Sequence, residues 1–401
     1  MAITYAAMDS ATDRGAFQST PGIVSLTDKR DVSDILDLFA LTDTPFVNDI
    51  GWGPESGATS IEWISENLGE GYMKIVSVIA SAATEFDVTC TDLLATGEVI
   101  KMLHAGTLFY HFSSTDNDHA LMQVESVEAD GTVTFETLSV DGGAITADTS
   151  VATTDKLWIL GAVANEGSLP RAGSPRDRVV NSNNMMILRQ DVQVTGSMKS
   201  TDMYAIGKED QHQILMRLKE MQREREKVTL YSAYQARTST VAGLMSGVFG
   251  FLVAQSGDHI DTSTRSLTET AVNTVVGACW ENGSTNLTFY GNKDQCAKFT
   301  QWDKNRIRMA PRDGRGGGYI SKYMTEVGVE VNVQPMRQVP KNLAFVIDPS
   351  KCQLRAKKGR KAIMEKLGKM GDFEDWQIIS EFTFEMKGYN LGQHGMFTSL
   401  S

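Results

Sequence analysis

Between Met203 and Gln235 the chain has no proline and a single glycine, and Ile214, Leu218, Met221, Val228 and Tyr231 recur at the spacing of one helix face. A helix of this kind is about 45 Å long at its rise per residue. That rod constrains the fold more than any other stretch, because the rest of the chain has to be arranged along it. Its other face, around KEMQREREK, mixes signs. Glu220 precedes Arg223 and Glu224 precedes Lys227 at i,i+3, which adds about 0.2–0.5 kcal/mol per pair and suits either solvent or the charged surface of a neighbouring copy.

The 401 residues, 41% hydrophobic and 22% charged, suit two or three compact units rather than a disordered chain. A net charge of −12 argues against a dedicated nucleic-acid binder, which needs a basic face, so any DNA contact has to be local. Cys90, Cys279, Cys296 and Cys352 lie too far apart for a C-x-x-C site and are too few for a disulfide scaffold, so they read as reduced and mostly buried. The first residues, MAITYAAMDSATDRG, lack a basic segment followed by an apolar one, and the longest apolar run, near VSVIASAA, is too short for a bilayer. A cytoplasmic protein without a membrane partner is expected.

Five stretches follow one another. Residues 1–30 are small and polar and form an arm. In RDVSDILDLFALTDTPFVNDIG, Val32, Ile35, Leu36 and Phe39 predict a short helix ending near Thr42, with Thr44-Pro45 forcing an extended exit. From Gly51 to Ala83 the pattern is strand-like, and in SIEWI the residues Ile61 and Trp63 are out of phase with Glu62, as in one half of a long two-stranded loop. Between Thr84 and Gly161 short alternating runs predict a small all-β insertion. There Met122 and Val124 alternate before Asp130-Gly131, and Val133 and Phe135 alternate after it, the pattern of a hairpin. After the extended MMILRQDVQVTGSM and the long helix, the helices LTETAVNTVVGACWENG and KDQCAKFTQW and the strands NLTFYG, VEVNVQP and LAFVIDP predict an α/β layer. The strands QIISEFTFEMKG and HGMFTSL close the chain.

Catalytic signatures are missing. There is no G-x-S-x-G elbow, no H-E-x-x-H helix and no acidic calcium loop. The glycine-rich RDGRGGGYISKY has Tyr319 where a dinucleotide fingerprint needs its third glycine, and a strand-like alternation through Val327, Val329, Val331 and Val333 follows it instead of a helix. It reads as a basic-flanked surface loop. His104, His111 and His119 are spaced seven and eight residues apart, which does not bring all three to one strand face. Glu381 and Glu385 share a strand face and read as ordinary polar positions. No cofactor and no metal site is expected. The strongest charge feature is the run from Lys351 to Lys369, in which Lys351, Arg355, Lys357, Lys358, Arg360, Lys361, Lys366 and Lys369 face only Glu365, a balance of +7. It suits packaged nucleic acid or, preferably, an acidic surface of another copy such as Asp31, Asp34, Asp37, Asp43 and Asp49.

The segment RDVSDILDLFALTDTPFVNDIGWGPESGATSIEWISENL resembles the N-terminal region of tailed-bacteriophage major capsid proteins. The resemblance recurs in order at NEGSLPR, at MMILRQDVQVTGSM before the long helix, at YISKYMTEVGVEVNVQPMRQVP, at LAFVIDPS and at LGKMGDFEDWQIISEFTFEMKGYNLGQHGMFTSL. Only the first residues and part of the β insertion fall outside it. It implies an α+β chain of the Hong Kong 97-type capsid fold: an N-terminal arm and short helix (1–50), an extended loop (51–200) carrying the β insertion (84–161), a peripheral domain on the long spine helix (201–256, completed by 349–401) and an axial domain (257–348). It also implies self-assembly into pentamers and hexamers of an icosahedral head, with portal, scaffolding and decoration proteins and packaged double-stranded DNA as partners. On that basis Phe46, Trp52 and Trp63 are candidate intersubunit anchors, with an intrachain core role as the alternative. Gly314, Gly316, Gly317 and Gly318 become a flexible axial loop, and Lys351, Arg355, Lys357, Lys358, Arg360 and Lys361 a basic contact surface. Lys74 reads as a surface-solvated lysine, with the lysine cross-link that some relatives make from the extended loop as the alternative. Two other readings stay open: a bacterial encapsulin shell, and a nucleotide-binding enzyme using the glycine loop.

Overall fold

The computed structural model describes residues 44–65, 72–75, 85–89, 103–112, 119–127, 132–138, 156–164, 166–169, 178–201, 208–302, 321–369 and 371–401. The arm, the expected helix around Val32–Phe39, Cys90 and the glycine loop Gly314–Gly318 lie outside the described residues.

The first element, α1 (Pro45–Ile50), is a helix where the sequence predicts an extended exit. The pre-proline rule constrains only Thr44, which at φ −128° and ψ 66° is indeed outside the helix, whereas Pro45 occupies the start of the helix, where its missing N–H costs nothing. Buried Glu226 accepts hydrogen bonds from the Phe46 and Val47 N–H groups at 3.0 and 2.9 Å. Gly51, at φ 64°, then turns the chain out of the helix.

β1 (Ser60–Ser65) is followed in the chain by a closed barrel. Its walls are β2 (Tyr72–Ile75), β3 (Glu85–Thr89), β4 (Thr107–Phe112), β5 (His119–Val127), β6 (Thr132–Leu138) and β7 (Lys156–Ala162), in the order β2-β3-β6-β5-β4-β7. Met122, Val124, Val133 and Phe135, the alternating residues of the expected hairpin, are buried together with Phe109 and Leu157. The barrel therefore starts at Tyr72 rather than at Thr84, and Lys74 lies in its wall, in register with Thr89 and Lys156. The chain returns along β8 (Val179–Asn184), which pairs antiparallel with β1 from Ser60↔Asn184 to Ser65↔Val179 and completes the two-stranded ribbon.

β9 (Met186–Thr195) and a short turn of helix, α2 (Gly196–Lys199), lead to α3 (Glu209–Tyr231), the long helix. It is roughly 34 Å long by its rise and ends before Gln235, because Gln235 leaves to exchange backbone hydrogen bonds with Leu244. Met221 and Leu230 are buried, Val228 and Tyr231 pack on the same core, and Ile214 and Leu218 are only half-buried. Next, α4 (Val248–Leu252) crosses the end of α3 so closely that a Cβ at Gly247 would stand 2.6 Å from the Thr229 carbonyl oxygen.

The second unit is a six-stranded sheet. It contains β10 (Ile260–Asp261), then β11 (Leu287–Gly291) between α5 (Glu269–Glu281) and α6 (Lys293–Trp302), then β12 (Lys322–Met324), β13 (Glu330–Pro335) and β14 (Ala344–Ile347). Thr268 caps α5 by accepting from the Ala271 N–H, and Val272, Val275, Val276 and Cys279 face the core as predicted. The single strand expected through Val327–Val333 is instead a hairpin: Gly328, at φ 83°, turns the chain between β12 and β13 and leaves Val327 exposed.

The remaining sheet is organised by β17 (Phe373–Met386), with β9 along one flank and β15 (Cys352–Ala356) and then β16 (Ile363–Lys366) along the other. The last strand, β18 (Gly395–Phe397), does not join it. It pairs with β14 and β10, so the chain's end completes the six-stranded sheet rather than the one built on α3.

One apolar core joins these parts. Phe46 sits edge-on to Tyr290 of β11 at 5.2 Å and to Phe384 of β17 at 6.1 Å, while the Tyr290 hydroxyl donates to Asp49 at 2.8 Å. Replacing Glu226 by Ala leaves two buried N–H groups of α1 without an acceptor. The unassembled subunit is expected to lose roughly 2–5 kcal/mol, seen as a lower urea midpoint, with Glu226→Gln in between; an unchanged midpoint would mean that apolar contacts alone hold α1.

Candidate assembly surfaces

The aromatic candidates fall on two sides of the surface. Phe46 and Trp63 are buried within the single chain, Trp63 against Phe251 at 6.1 Å, so neither offers area to a neighbour, and the core alternative describes them. Trp52 is half-buried and stands between two cations: the Arg225 guanidinium lies 5.0 Å and the Lys361 ammonium 4.4 Å from its ring centre. It holds the segment after α1 against β15, where Gly53 N–H donates to Leu354 and Ser56 N–H to Ala356.

The basic run is largely spent inside the chain. Alternation along β15 puts Gln353 and Arg355 on one face of the sheet, with Lys357 just beyond its end, and pairing with β17 brings Glu381 and Glu385 to the same face. Both carboxylates are buried. Glu381 is held by Lys357 at 3.3 Å and Arg360 at 3.0 Å, with Arg237 at 3.9 Å, and Glu385 by Arg355 at 3.5 Å and by the Gln353 amide at 2.8 Å. These glutamates are therefore counterions rather than ordinary strand positions. Lys351 turns the other way, donating to the Gly283 carbonyl, Ser284 Oγ and Gln393 Oε1 at 2.9–3.1 Å, and burial lowers its pKa. It ties β15 to the end of α5. Of the six predicted contact residues, Lys358 and Lys361 are exposed, and Arg360, paired with Glu381, keeps a side chain that is 41% exposed.

Sequence inspection missed the group beside Lys351. His394 is buried between two backbone groups, with Nδ1 accepting from the Asp348 N–H at 3.2 Å and Nε2 donating to the Lys387 carbonyl at 2.8 Å. Desolvation pulls its pKa down to about 4, and nearby Lys351 and His259 add to the shift while the Lys387 carbonyl and Asp348 oppose it. Cys279, Cys296 and Cys352 are free and buried; burial raises all three thiols, that of Cys296 to about 12, so none is a nucleophile near neutrality. Among the described residues, no group of three or more His, Cys, Asp or Glu side chains is placed to hold a metal, and no helix is long and apolar enough to cross a membrane.

Exposed apolar residues are spread over the subunit, and one pair of them stands on the ribbon. Ile64 and Val180 are directly opposite in register and 66% and 58% exposed. A two-stranded ribbon, a long helix against a long-stranded sheet and a six-stranded layer make up the Hong Kong 97-type fold of phage capsid proteins, with the barrel inserted in the ribbon. Residues 11–401 match the family described as SU10 major capsid protein, and the chain belongs to that family. It is a tailed-phage major capsid protein, a component of the virion, in a family whose role is structural. The capsid of cyanophage A-1(L) aligns with 94% of this chain and 98% of its own at 10% identity and TM-score 0.52. The capsid of an empty GTA particle aligns with 98% and 100% at 10% identity and TM-score 0.50. An encapsulin complex from Synechococcus elongatus covers 56% of this chain and 78% of its own at 10% identity and TM-score 0.40, too distant to bear on function. No curated protein matches the sequence.

Removing the two nearer cations from Glu381, in a Lys357→Ala, Arg360→Ala double variant, leaves a buried carboxylate with only Arg237 at 3.9 Å. The subunit is expected to lose about 3–5 kcal/mol, whereas Lys358→Ala stays within about 0.5 kcal/mol; equal effects in urea titrations would return the run to a purely external role. His394 gives a pH signature. Because its folded pKa is below the unfolded value, the unfolded chain takes up the proton first, and stability falls as pH drops from 6.5 toward about 4. The full loss is roughly 3 kcal/mol, and His394→Gln is expected to flatten that part of the stability curve.

Proposed function

We propose that the subunit assembles into the pentamers and hexamers of an icosahedral head that encloses double-stranded DNA, in the cytoplasm of a bacterial host. Scaffolding and portal proteins act in assembly, and decoration proteins bind the finished shell. The observation that carries the reading is the exposed Ile64–Val180 pair on the β1–β8 ribbon. A solitary subunit gains nothing by keeping two branched apolar residues in water on the same ribbon face, whereas a neighbour that covers them gains their burial. Each such contact is modest, and closure of a shell multiplies it through every subunit. DNA contact falls to dispersed exposed cations and is non-specific. The family assignment favours a phage head over an enzyme-housing compartment.

Negative-stain microscopy of the protein expressed alone, and with its co-encoded scaffold, is expected to show closed shells in at least one sample. Ile64→Asp with Val180→Asp is expected to give soluble, folded subunits that do not close. Subunits that never form shells under either condition would count against the reading, and shells from the double variant would remove the ribbon from it.

A further inference from the structure

The negative charge of the chain is unevenly placed. From Tyr72 to Ala162, the span of the barrel, there are three lysines against thirteen aspartates and glutamates, a balance of −10, which leaves −2 for all the other residues. A surface charged in this way repels its own copies and attracts a basic one.

Two bulges shape the barrel's exterior. The β4–β7 ladder steps from Phe109↔Ile159 to Leu108↔Gly161 and leaves Leu160 unmatched, and the β5–β6 ladder steps from Val124↔Phe135 to Ser126↔Thr134 and leaves Glu125 unmatched. Both residues point into solvent. Beside the second bulge is a concavity of about 380 Å³ in which the exposed carboxylates Glu125 and Glu136 stand next to Val163 and Leu169, the latter 88% exposed. The lining is mainly polar and acidic with exposed aliphatic groups beside it, which fits a partner that offers cations flanking an aliphatic side chain.

The same chain carries such a partner. β16 lies at the margin of its sheet and, among the described residues, is paired with β17 alone. Around it Met364 and Leu367 are 49% and 43% exposed, flanked by the exposed lysines Lys358, Lys361, Lys366 and Lys369. Glu374 engages Lys366 at 2.9 Å and Asp372 lies 3.9 Å from Lys369, while Lys358 keeps its charge toward solvent and Lys361 lies over the Trp52 ring. Among the described residues, the barrel strands pair only with one another and share no ladder with this sheet.

We propose that the barrel of one subunit docks on the β16 edge of a neighbouring copy, the Glu125–Glu136 concavity receiving Met364 or Leu367 while the flanking lysines meet the acidic rim. The inference rests on the shell reading above and specifies one of its contacts. Charge selects the pairing: barrel against barrel is repelled and barrel against β16 is attracted. Apolar burial then supplies the contact that salt does not screen.

The test is zero-length carbodiimide cross-linking of shells assembled from equal amounts of light and isotopically heavy full-length subunits, followed by peptide mass spectrometry. Links between Glu125 or Glu136 and Lys358, Lys361 or Lys369 are expected, with light–heavy pairs as abundant as the light–light and heavy–heavy pairs together. Shells that form but yield no such links, or only same-label links, overturn the docking and leave the shell reading standing; absence of shells overturns both. A second arm uses charge exchange. Glu125→Lys with Glu136→Lys is expected to lower the heat threshold at which shells open, and adding Lys358→Glu with Lys361→Glu to the same chain is expected to restore it. No recovery, with each variant folded by circular dichroism, also overturns the pairing.

Discussion

The contact on which the rest of the structure depends is the carboxylate of Glu226 against the first N–H groups of α1. A buried charge costs several kcal/mol unless it is fully engaged. Here two short hydrogen bonds and the positive end of a helix offset the cost. The geometry then propagates. Fixing α1 places Phe46 between β11 and β17, and so fixes the six-stranded sheet and the β17 sheet against α3 at a single point. Asp49, one turn further along, repeats the device by accepting from Tyr290. A six-residue helix with little stability of its own thus becomes the joint of the subunit, because its backbone and side chains serve different neighbours.

The features that were legible in the sequence are those written in local periodicity. Ile61 and Trp63 against Glu62, Met122 and Val124 against Val133 and Phe135, and the apolar face of α5 gave their elements, because a strand or helix that buries one face has to repeat its apolar residues at its own period. Order along the chain gave the capsid resemblance, which the family assignment bears out. What was not legible depends on residues distant in sequence. Glu226 lies in a charged stretch of α3 that reads as a solvated face, and nothing local says that two N–H groups from residues 46 and 47 will meet it. Glu381 and Glu385 look like ordinary strand positions until β15 is laid beside β17 and their cations arrive from residues 355, 357 and 360. The same gap misled the reading of the basic run, whose +7 balance counted charges without their buried counterions. Phe46 and Trp63 show a related limit: an aromatic suits a core and an interface equally well, and only the fold decides between them.

The insertion of a whole barrel into the ribbon is possible because of how its two ends meet. Ser65 and Val179, the last paired residues before the chain leaves and after it returns, are cross-strand partners. Everything between them can therefore grow without shifting the β1–β8 register. Closure of the inserted strands into a barrel removes the free edges that an added sheet would expose, which matters in a protein held at high local concentration in a shell. Its charge serves the same end. A balance of −10 on the barrel keeps barrels apart, while the nearly neutral remainder is left free to pack. The net charge of the chain, taken as one number, argued only against DNA binding; taken by position, it separates an insertion that must avoid its own kind from a scaffold that must find it.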